Sequence, residues 1–269
     1  MSRLSDIYRS LPSFKGKKRL GSLLFRQSVY KYTDKLVRCK DGLMLHILNT
    51  QDSVGRDLFF DGEYEPETVN LINSILKEGD IMIDAGANIG AISLPVAKAN
   101  HVQVYAFEPA KHVFEILEKN VTVNNLRNVI PVSLALSNVV ETREFYESNR
   151  VHGWSGMVKI DSFQNYKVKA TTLDSFAEEN NLRQIRVLKA DVQGWEYFVF
   201  KGAEKLLDER RIEYIIFELE WWAEQNAGLE VGTAQRFLLE KGYVLETLDG
   251  KKIDKPLVHG TQMIVARLK

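Results

Sequence analysis

Apolar runs alternate with segments of helical periodicity along most of the chain after residue 60. Seven runs have the length and composition of buried strands, and helical stretches separate most of them. The predicted strands are Ile81–Asp84, Val102–Phe107, Val129–Ala135, Arg186–Ala190, Glu213–Phe217, Tyr243–Glu246 and Gln262–Ala266. The predicted helices span about residues 66–77, 89–99, 111–124, 195–207 and 231–241. Such alternation predicts an α/β domain, a seven-stranded, mostly parallel sheet with helices on both faces.

One interval breaks this alternation, between the third and fourth predicted strands. It contains strand-like segments separated by polar or glycine-containing turns, at Arg143–Glu147, Met157–Ile160 and Lys167–Thr171. Connections this long inside a domain are usually functional. We therefore predict an inserted β segment at about residues 138–172 that serves as a lid or an acceptor platform.

The first 60 residues have a different pattern. Leu4, Ile7, Tyr8 and Leu11 recur at helical spacing, and the chain alternates in Lys35–Cys39 and Leu43–Leu48 around a turn at Asp41. We predict an N-terminal appendage over residues 1–60, a helix plus a small hairpin, and a main domain over residues 61–269.

Composition excludes several classes of protein. The chain has 36 Lys plus Arg and 36 Asp plus Glu, so its net charge of zero argues against a dedicated nucleic-acid binder. One cysteine, Cys39, excludes an intrachain disulfide and a cysteine zinc site. The sequence has neither a membrane-spanning run nor a secretion signal, so a cytoplasmic protein is expected.

The neutral total conceals an uneven distribution of charge. Residues 1–40 contain eleven Lys or Arg and two Asp, a net charge of +9, and the remainder therefore carries −9. The basic segment has three interpretations: a helix that packs on the acidic domain and covers its site, a surface for anionic membrane or lipid-linked acceptors, or a dimerisation arm.

The segment from Asp84 to Gly90 is the most informative part of the chain. A predicted strand leads into a glycine-containing turn, Gly86-Ala87-Asn88-Ile89-Gly90, which begins a helix. Such a turn lets the backbone approach a ligand closely and directs free helix amides toward it. Asn88 is a residue type that tolerates left-handed backbone angles, so the turn is expected to form without a middle glycine.

Two carboxylates indicate which ligand this turn binds. Asp84 at the strand end would repel the pyrophosphate of a dinucleotide but favour the cationic S-adenosylmethionine. Glu108 ends the next predicted strand, where a carboxylate can accept hydrogen bonds from both ribose hydroxyls. The pair predicts an adenosine-containing cofactor; the alternative is that both acids only cap the helices that follow.

An ordered series of motifs resembles the FkbM-type S-adenosylmethionine-dependent methyltransferases, from about Gly62 to Ala266. The motifs are Tyr64–Glu67, Ile83–Gly90, Ala106–Pro109, Asn120 with Asn124, Ala135–Ser137, Thr171–Asp174, Leu188–Glu196, Phe200–Ala203 and Phe217–Glu218. The resemblance implies a class I methyltransferase fold that transfers a methyl group to a hydroxyl of a sugar, glycan or natural product. Gln193 departs from it, because the family usually has Glu there, and Ala190 replaces a larger residue.

The cofactor contacts expected from the turn and the resemblance are Asp84, Gly86, Ala87, Asn88, Gly90, Glu108, Pro109 and Ala135. Residues after the fourth and fifth strands should face the transferred methyl group. Asp191, Glu218 and His152 are the candidate bases, although Asp191 equally suits a helix cap. Expected acceptor contacts are Trp154, Gln193, Trp195, Glu196 and Trp221, with packing the alternative for each tryptophan. We expect no metal, since nothing in the spacing of the carboxylates requires one.

Two other functions remain open from the sequence. One is a nucleotide-dependent oxidoreductase, against which Asp84 and the missing G-x-G-x-x-G pattern count. The other is a catalytically silent module that binds S-adenosylmethionine, for which Gln193 is the one hint of lost chemistry.

Overall fold

The computed structural model describes Tyr8, residues 35–148 and residues 155–269. Its strands are β1 Lys35–Arg38, β2 Met44–Ile47, β3 Ile81–Ala85, β4 Gln103–Phe107, β5 Val129–Val132, β6 Ala135–Leu136, β7 Glu141–Glu147, β8 Gln164–Thr171, β9 Ile185–Ala190, β10 Ile212–Glu220, β11 Tyr243–Thr247 and β12 Thr261–Leu268. Its helices are α1 Ser53–Phe60, α2 Pro66–Ile75, α3 Ser93–Asn100, α4 Lys111–Val123, α5 Leu173–Glu179, α6 Glu196–Lys201, α7 Glu204–Asp208, α8 Trp221–Asn226 and α9 Thr233–Glu240.

The seven predicted strands form one sheet in the order β11-β12-β10-β9-β3-β4-β5. Every pairing is parallel except the two made by β12, so six strands run one way and β12 runs against them. The chain moves outward from β3 through β4 to β5 and then returns to β9 on the other side of β3. This reversal leaves a crevice beyond the carboxyl ends of β3 and β9, where ligands of such sheets bind.

The predicted strand Val129–Ala135 is wrong at its end. The structure divides it into β5, at the edge of the large sheet, and β6, which pairs with β8 in a separate sheet of order β6-β8-β7. The Leu134 N–H donates to the Val132 carbonyl at 2.9 Å, so the chain turns between the two strands.

The inserted β segment is confirmed as the pair β7 and β8, with β6 beside them. The predicted strand at Met157–Ile160 is wrong. Gly156 forms an isolated bridge with Tyr146, through hydrogen bonds of 2.8 and 3.0 Å, and the chain then bends. Met157 and Val158 are nevertheless buried, which explains their strand-like apolar pattern.

The predicted helix at residues 195–207 is two helices, α6 and α7. They separate at Gly202, where a Cβ atom would lie 1.9 Å from the Ser137 carbonyl oxygen. Helices α1, α5 and α8, of six to eight residues, are absent from the sequence prediction. None of the helices in the described part of the chain is long and apolar enough to cross a membrane.

The predicted hairpin is confirmed, and β2 is joined to α4 by side-chain amides. Asn120 accepts from the His46 N–H at 2.6 Å and donates to the carbonyls of His46 at 3.1 Å and Ile89 at 2.8 Å. Asn124 bridges the Met44 N–H and carbonyl at 2.8 and 2.7 Å. Of the predicted N-terminal helix only Tyr8 is described; it is helical, buried and packed edge-on against Phe60 at 5.9 Å. The rest of that helix lies outside the described residues.

We expect Asn120→Ala to lower the free energy of unfolding by about 3 kcal/mol, because it removes a buried hydrogen bond to the Ile89 carbonyl and two half-buried ones to the His46 backbone. Urea unfolding followed by circular dichroism measures the change. Glu118→Ala, an exposed position on the same helix, is the control and should change it by less than about 0.5 kcal/mol. Equal losses for the two variants would contradict this role for Asn120.

Candidate active site

The turn after β3 approaches the chain after β9 closely. Gly86 has φ +79°, and a Cβ atom there would lie 2.0 Å from the Asp191 carbonyl oxygen, so this position requires glycine. Asn88 has φ +51°, which confirms the predicted left-handed angle. Gly86, Ala87 and Asn88 line a cavity at the carboxyl edge of the sheet, which we call the inner cavity. Gly90 does not line it and instead packs against Leu94.

Asp84 lies behind the inner cavity, with a side chain that has no exposed surface. It accepts a hydrogen bond from Ser93 Oγ at 2.6 Å, and its Oδ1 lies 3.2 Å from Lys189 Nζ. The expected direct contact between Asp84 and a cationic ligand is therefore replaced by a buried ion pair. Because β3 and β9 are neighbouring parallel strands that align Asp84 with Lys189, the pair follows from the sheet register.

Glu108 lies at the end of β4 and lines the inner cavity. Its Oε2 accepts from the Asn88 N–H at 3.0 Å and its Oε1 from the Ala110 N–H at 2.9 Å. Burial raises its pKa to about 7, against the opposing effect of these two amides. Each carboxylate oxygen keeps a lone pair that can accept a further hydrogen bond from a ligand hydroxyl.

A second, apolar cavity adjoins the inner cavity at Glu108. Phe107, Pro109, Leu134, Ala135, Leu136 and Met157 contribute to its lining. Gly86, Glu108 and Asp191 line both cavities, so they form one continuous crevice along the strand ends. The structure thus brings the predicted residues Pro109 and Ala135 to the same place as Glu108.

The carboxylate cluster, Asp191, Glu218 and Glu220, also lines the inner cavity; Asp191 directly follows β9, and the two glutamates lie at the carboxyl end of β10. Gln193 joins two of its members, because its Nε2 donates to Asp191 Oδ1 at 2.8 Å and to Glu218 Oε2 at 3.0 Å. Burial and the neighbouring Asp191 raise the pKa of Glu218 to about 10. Lys189 Nζ lies 3.6 Å from Asp191 Oδ2 and supplies positive charge to the cluster.

The surroundings of Gln193 explain why an amide, rather than the glutamate usual in the family, suits this position. It adopts φ +56° and is nine-tenths buried, so its amide is held between the two acids. A glutamate here would place a third carboxylate within about 3 Å of two others, which is unfavourable unless protons are taken up. Any role that needs a carboxylate at position 193 is therefore absent from this protein.

Two residues outside the predicted site, Tyr64 and Glu65, lie at or beside the inner cavity. Tyr64 lines it, and Glu65, at φ +41°, hydrogen-bonds Tyr64 and lies near Asp191 and Lys189. Burial and the charge of Asp191 raise the pKa of Glu65. The resemblance motif Tyr64–Glu67 contained both residues, and that motif is the signal that could have found them.

Trp195 and Glu196 are buried, and neither lines the inner cavity. Trp195 donates from Nε1 to Ser137 Oγ at 3.1 Å and stacks on Phe198 at 4.0 Å, so its predicted stacking on an acceptor ring is contradicted by its burial. Glu196 Oε1 accepts from the Val192 N–H at 2.9 Å, and burial raises its pKa to about 8. Its predicted acceptor contact is likewise replaced by a structural one that holds the turn before Gln193.

Of the remaining candidates, Trp221 is the one that lies among the described residues. Trp221 is 39% exposed and lies edge-on to His259, outside the inner cavity. Predicted residues His152 and Trp154 lie outside the described residues.

Among the residues that the structure describes, no three His, Cys, Asp or Glu side chains are arranged to hold a metal ion. That the protein needs no metal stays a prediction.

A model of the methyltransferase FkbM domain matches residues 84–245, more than half of the chain. The chain belongs to this family. The matched range begins at Asp84 in β3 and ends in β11. It therefore includes Glu108, Gln193 and the carboxylate cluster. The sheet order, with antiparallel β12 between β10 and β11, is the class I methyltransferase fold that the resemblance implied.

Curated relatives of this FkbM-domain chain are methyltransferases. It is 28% identical over 177 residues to the hexuronic acid methyltransferase AglP of Haloferax volcanii, a match that covers 65% of this chain and 68% of AglP. It is 23% identical over 193 residues to Methyltransferase 1 of Beauveria bassiana, covering 62% and 74% of the two chains. A solved S-adenosylmethionine-dependent O-methyltransferase of Thermotoga maritima is 17% identical, with a TM-score of 0.45 over 88% of this chain and 78% of that one.

Proposed function

We propose that this FkbM-domain protein transfers a methyl group from S-adenosylmethionine to a hydroxyl oxygen of a sugar, a glycan or another hydroxylated small molecule. The observation that carries the proposal is the crevice at the strand ends, which joins an apolar cavity, Glu108, the Gly86–Asn88 turn and the carboxylate cluster. Family membership supports methyl transfer as the reaction.

The residues present fit the proposed cofactor. The apolar cavity beside Pro109 and Ala135 suits an adenine ring, and Glu108 can accept the ribose hydroxyls. The inner cavity is lined by four acids, Glu108, Asp191, Glu218 and Glu220, and by Lys189. A ligand that carries an ammonium and a sulfonium group favours the ionised forms of these acids, and burial raises the pKa of Glu108, Glu218 and Glu220. When bound, the cofactor would supply an electrophilic methyl carbon attached to sulfur.

Asp191 and Glu218 are proposed to orient the acceptor. Near neutral pH Glu218 carries a proton, because its pKa is raised to about 10, and its carboxyl group hydrogen-bonds Asp191. Asp191 is held from two sides by Lys189 and Gln193, which fixes its position at the cavity wall. Fixed groups at a transfer site lower the barrier by positioning the reacting atoms.

The relative AglP guides the choice of acceptor class. Its name describes a hexuronic acid methyltransferase, so hexuronic acids and neutral hexoses are the acceptors to test first. A hexuronic acid carries hydroxyls and a carboxyl group, and methylation gives an ether at the former and an ester at the latter. The proposal commits to the ether.

The test incubates the protein with methyl-labelled S-adenosylmethionine and a panel of methyl glycosides of glucuronic acid, galacturonic acid, glucose and mannose. We expect label in at least one glycoside, in a form that survives mild alkali. Alkali-labile label would indicate carboxyl methylation and contradict the proposal. Binding of the cofactor without transfer to any glycoside would support the silent module, and tight NAD binding without S-adenosylmethionine binding would support the oxidoreductase.

A further inference from the structure

An open depression lies outside the carboxylate cluster, between the insertion and the start of α8. It is lined by residues 159–163, Glu220, Trp222 and Asn226. Its volume of about 740 Å³ falls within the range typical of small-molecule sites, roughly 300–1,000 Å³. We call it the outer depression; residues 159–163 belong to the insertion that is predicted to serve as a lid or an acceptor platform.

Glu220 connects the outer depression to the inner cavity. Among the described residues, it is the one that lines both. It is the last residue of β10, it is 9% exposed, and its Oε2 is buried without a hydrogen-bond partner. The Trp222 side chain hydrogen-bonds the same carboxylate. An oxygen that is buried without a partner at the junction of two cavities is available to accept a hydrogen bond from a ligand.

We propose that the outer depression holds the sugar ring of the acceptor against Trp222, and that Glu220 accepts the proton of the hydroxyl that is methylated. This inference rests on the proposed function. The arrangement of the depression matches a carbohydrate site, with an aromatic side chain and a polar rim that includes Ser162 and Asn226.

The other two acids of the cluster are less suited to take this proton. Asp191 is engaged by the Lys189 ammonium and by the Gln193 amide, and Glu218 already carries a proton near neutral pH. Burial and the neighbouring Asp191 raise the pKa of Glu220 to about 7, which matches a general base that works near neutral pH.

In the proposed methyl transfer, each bond that forms is matched by a bond that breaks. As the acceptor oxygen bonds to the methyl carbon, its O–H bond breaks and the proton passes to the Glu220 carboxylate. The carbon–sulfur bond breaks at the same time, and its electron pair stays on sulfur. The protonated Glu220 then returns its proton to water through the outer depression.

The test compares four variants on whichever glycoside of the panel the native protein methylates fastest. They are Glu220→Gln, Trp222→Phe, Trp222→Ala and the control Glu230→Gln, whose carboxylate is 90% exposed in an ion pair with Arg236. For each we measure kcat, the KM for the glycoside, the pH profile of kcat/KM and, by calorimetry, the Kd of S-adenosylmethionine.

Glu220→Gln should lower kcat at least 100-fold and leave the cofactor Kd within threefold. Native kcat/KM should rise with pH around a midpoint near 7, because Glu220 must lose its proton to act as a base. Trp222→Phe should keep KM and move this midpoint to higher pH, since the hydrogen bond that lowers the pKa of Glu220 is lost. Trp222→Ala should raise KM about tenfold.

Each adverse result has a distinct meaning. A Glu220→Gln variant that keeps its kcat and pH profile would overturn the role of Glu220 and leave the proposed function intact. A Trp222→Ala variant with the native KM for the glycoside would overturn the placement of the sugar ring. A native protein that binds the cofactor but methylates no glycoside would overturn both the inference and the proposed transfer to these sugars.

Discussion

Replacing Lys189 by Met is expected to lower the free energy of unfolding by about 3–5 kcal/mol. Lys189 is 2% exposed, and its Nζ lies 3.2 Å from the carboxylate of Asp84, which has no exposed surface. Without Lys189 the charge of Asp84 stays in the protein interior without its cation. A buried carboxylate that loses its partner costs far more than the pair contributes when intact.

A second substitution separates this cause from a simple packing defect. In Lys189→Met/Asp84→Asn the buried charge is gone, and Ser93 Oγ can still hydrogen-bond residue 84. We expect the double variant to recover most of the lost stability in urea unfolding at pH 7 without ligand. Lys201→Met, which removes a partly exposed ion pair with Glu204, is the control and should cost less than about 1 kcal/mol. A double variant as unstable as the single one would contradict the ion-pair explanation.

Replacing Glu108 by Ala is expected to weaken S-adenosylmethionine binding about 100-fold. Two hydrogen bonds from ribose hydroxyls to a carboxylate are worth about 1.5 kcal/mol each, and each 1.4 kcal/mol is a factor of about ten in Kd. The substitution also frees the N–H groups of Asn88 and Ala110, which Glu108 holds at the turn. Calorimetric titration gives the Kd, and a thermal melt shows whether the variant is folded.

The matched control is Glu115→Ala, an exposed position on α4, the helix that follows Glu108. Its cofactor Kd should stay within twofold of the native value. A folded Glu108→Ala protein with the native Kd would place the ribose elsewhere. The affinity of the native protein should also rise between about pH 6 and 8, because the pKa of Glu108 is raised to about 7 and the ionised carboxylate is the better acceptor.

The sequence predicted the sheet and its helices well, because each element is indicated by residues that are adjacent in the chain. Buried strands such as β3 begin with continuous apolar runs, and Asn88 is a residue type that permits the left-handed angle found there. The cofactor end of the site follows from the same signals, since Gly86 and Glu108 lie next to strand ends. Helix α5, of seven residues, is absent from the sequence prediction.

The acceptor end of the site could not be predicted to the same degree. It depends on the directions in which side chains point, and the sequence does not determine these. Trp221 and Trp222 are adjacent, and successive residues of a helix point about 100° apart, so the pattern cannot say which ring faces the cavity. Trp195 turns into the core toward Ser137, a contact between residues far apart in sequence. The Lys189–Asp84 pair likewise depends on the register of two strands that the chain order does not make neighbours.

The proposed function depends most on where the cofactor lies along the strand ends. A crystal structure of the protein with S-adenosylhomocysteine tests this directly. We predict ribose hydroxyls within hydrogen-bonding distance of Glu108, the adenine ring in the apolar cavity beside Pro109, and the sulfur directed toward the carboxylate cluster. A ligand bound in any other place, or with its sulfur directed away from Asp191 and Glu220, would contradict the account.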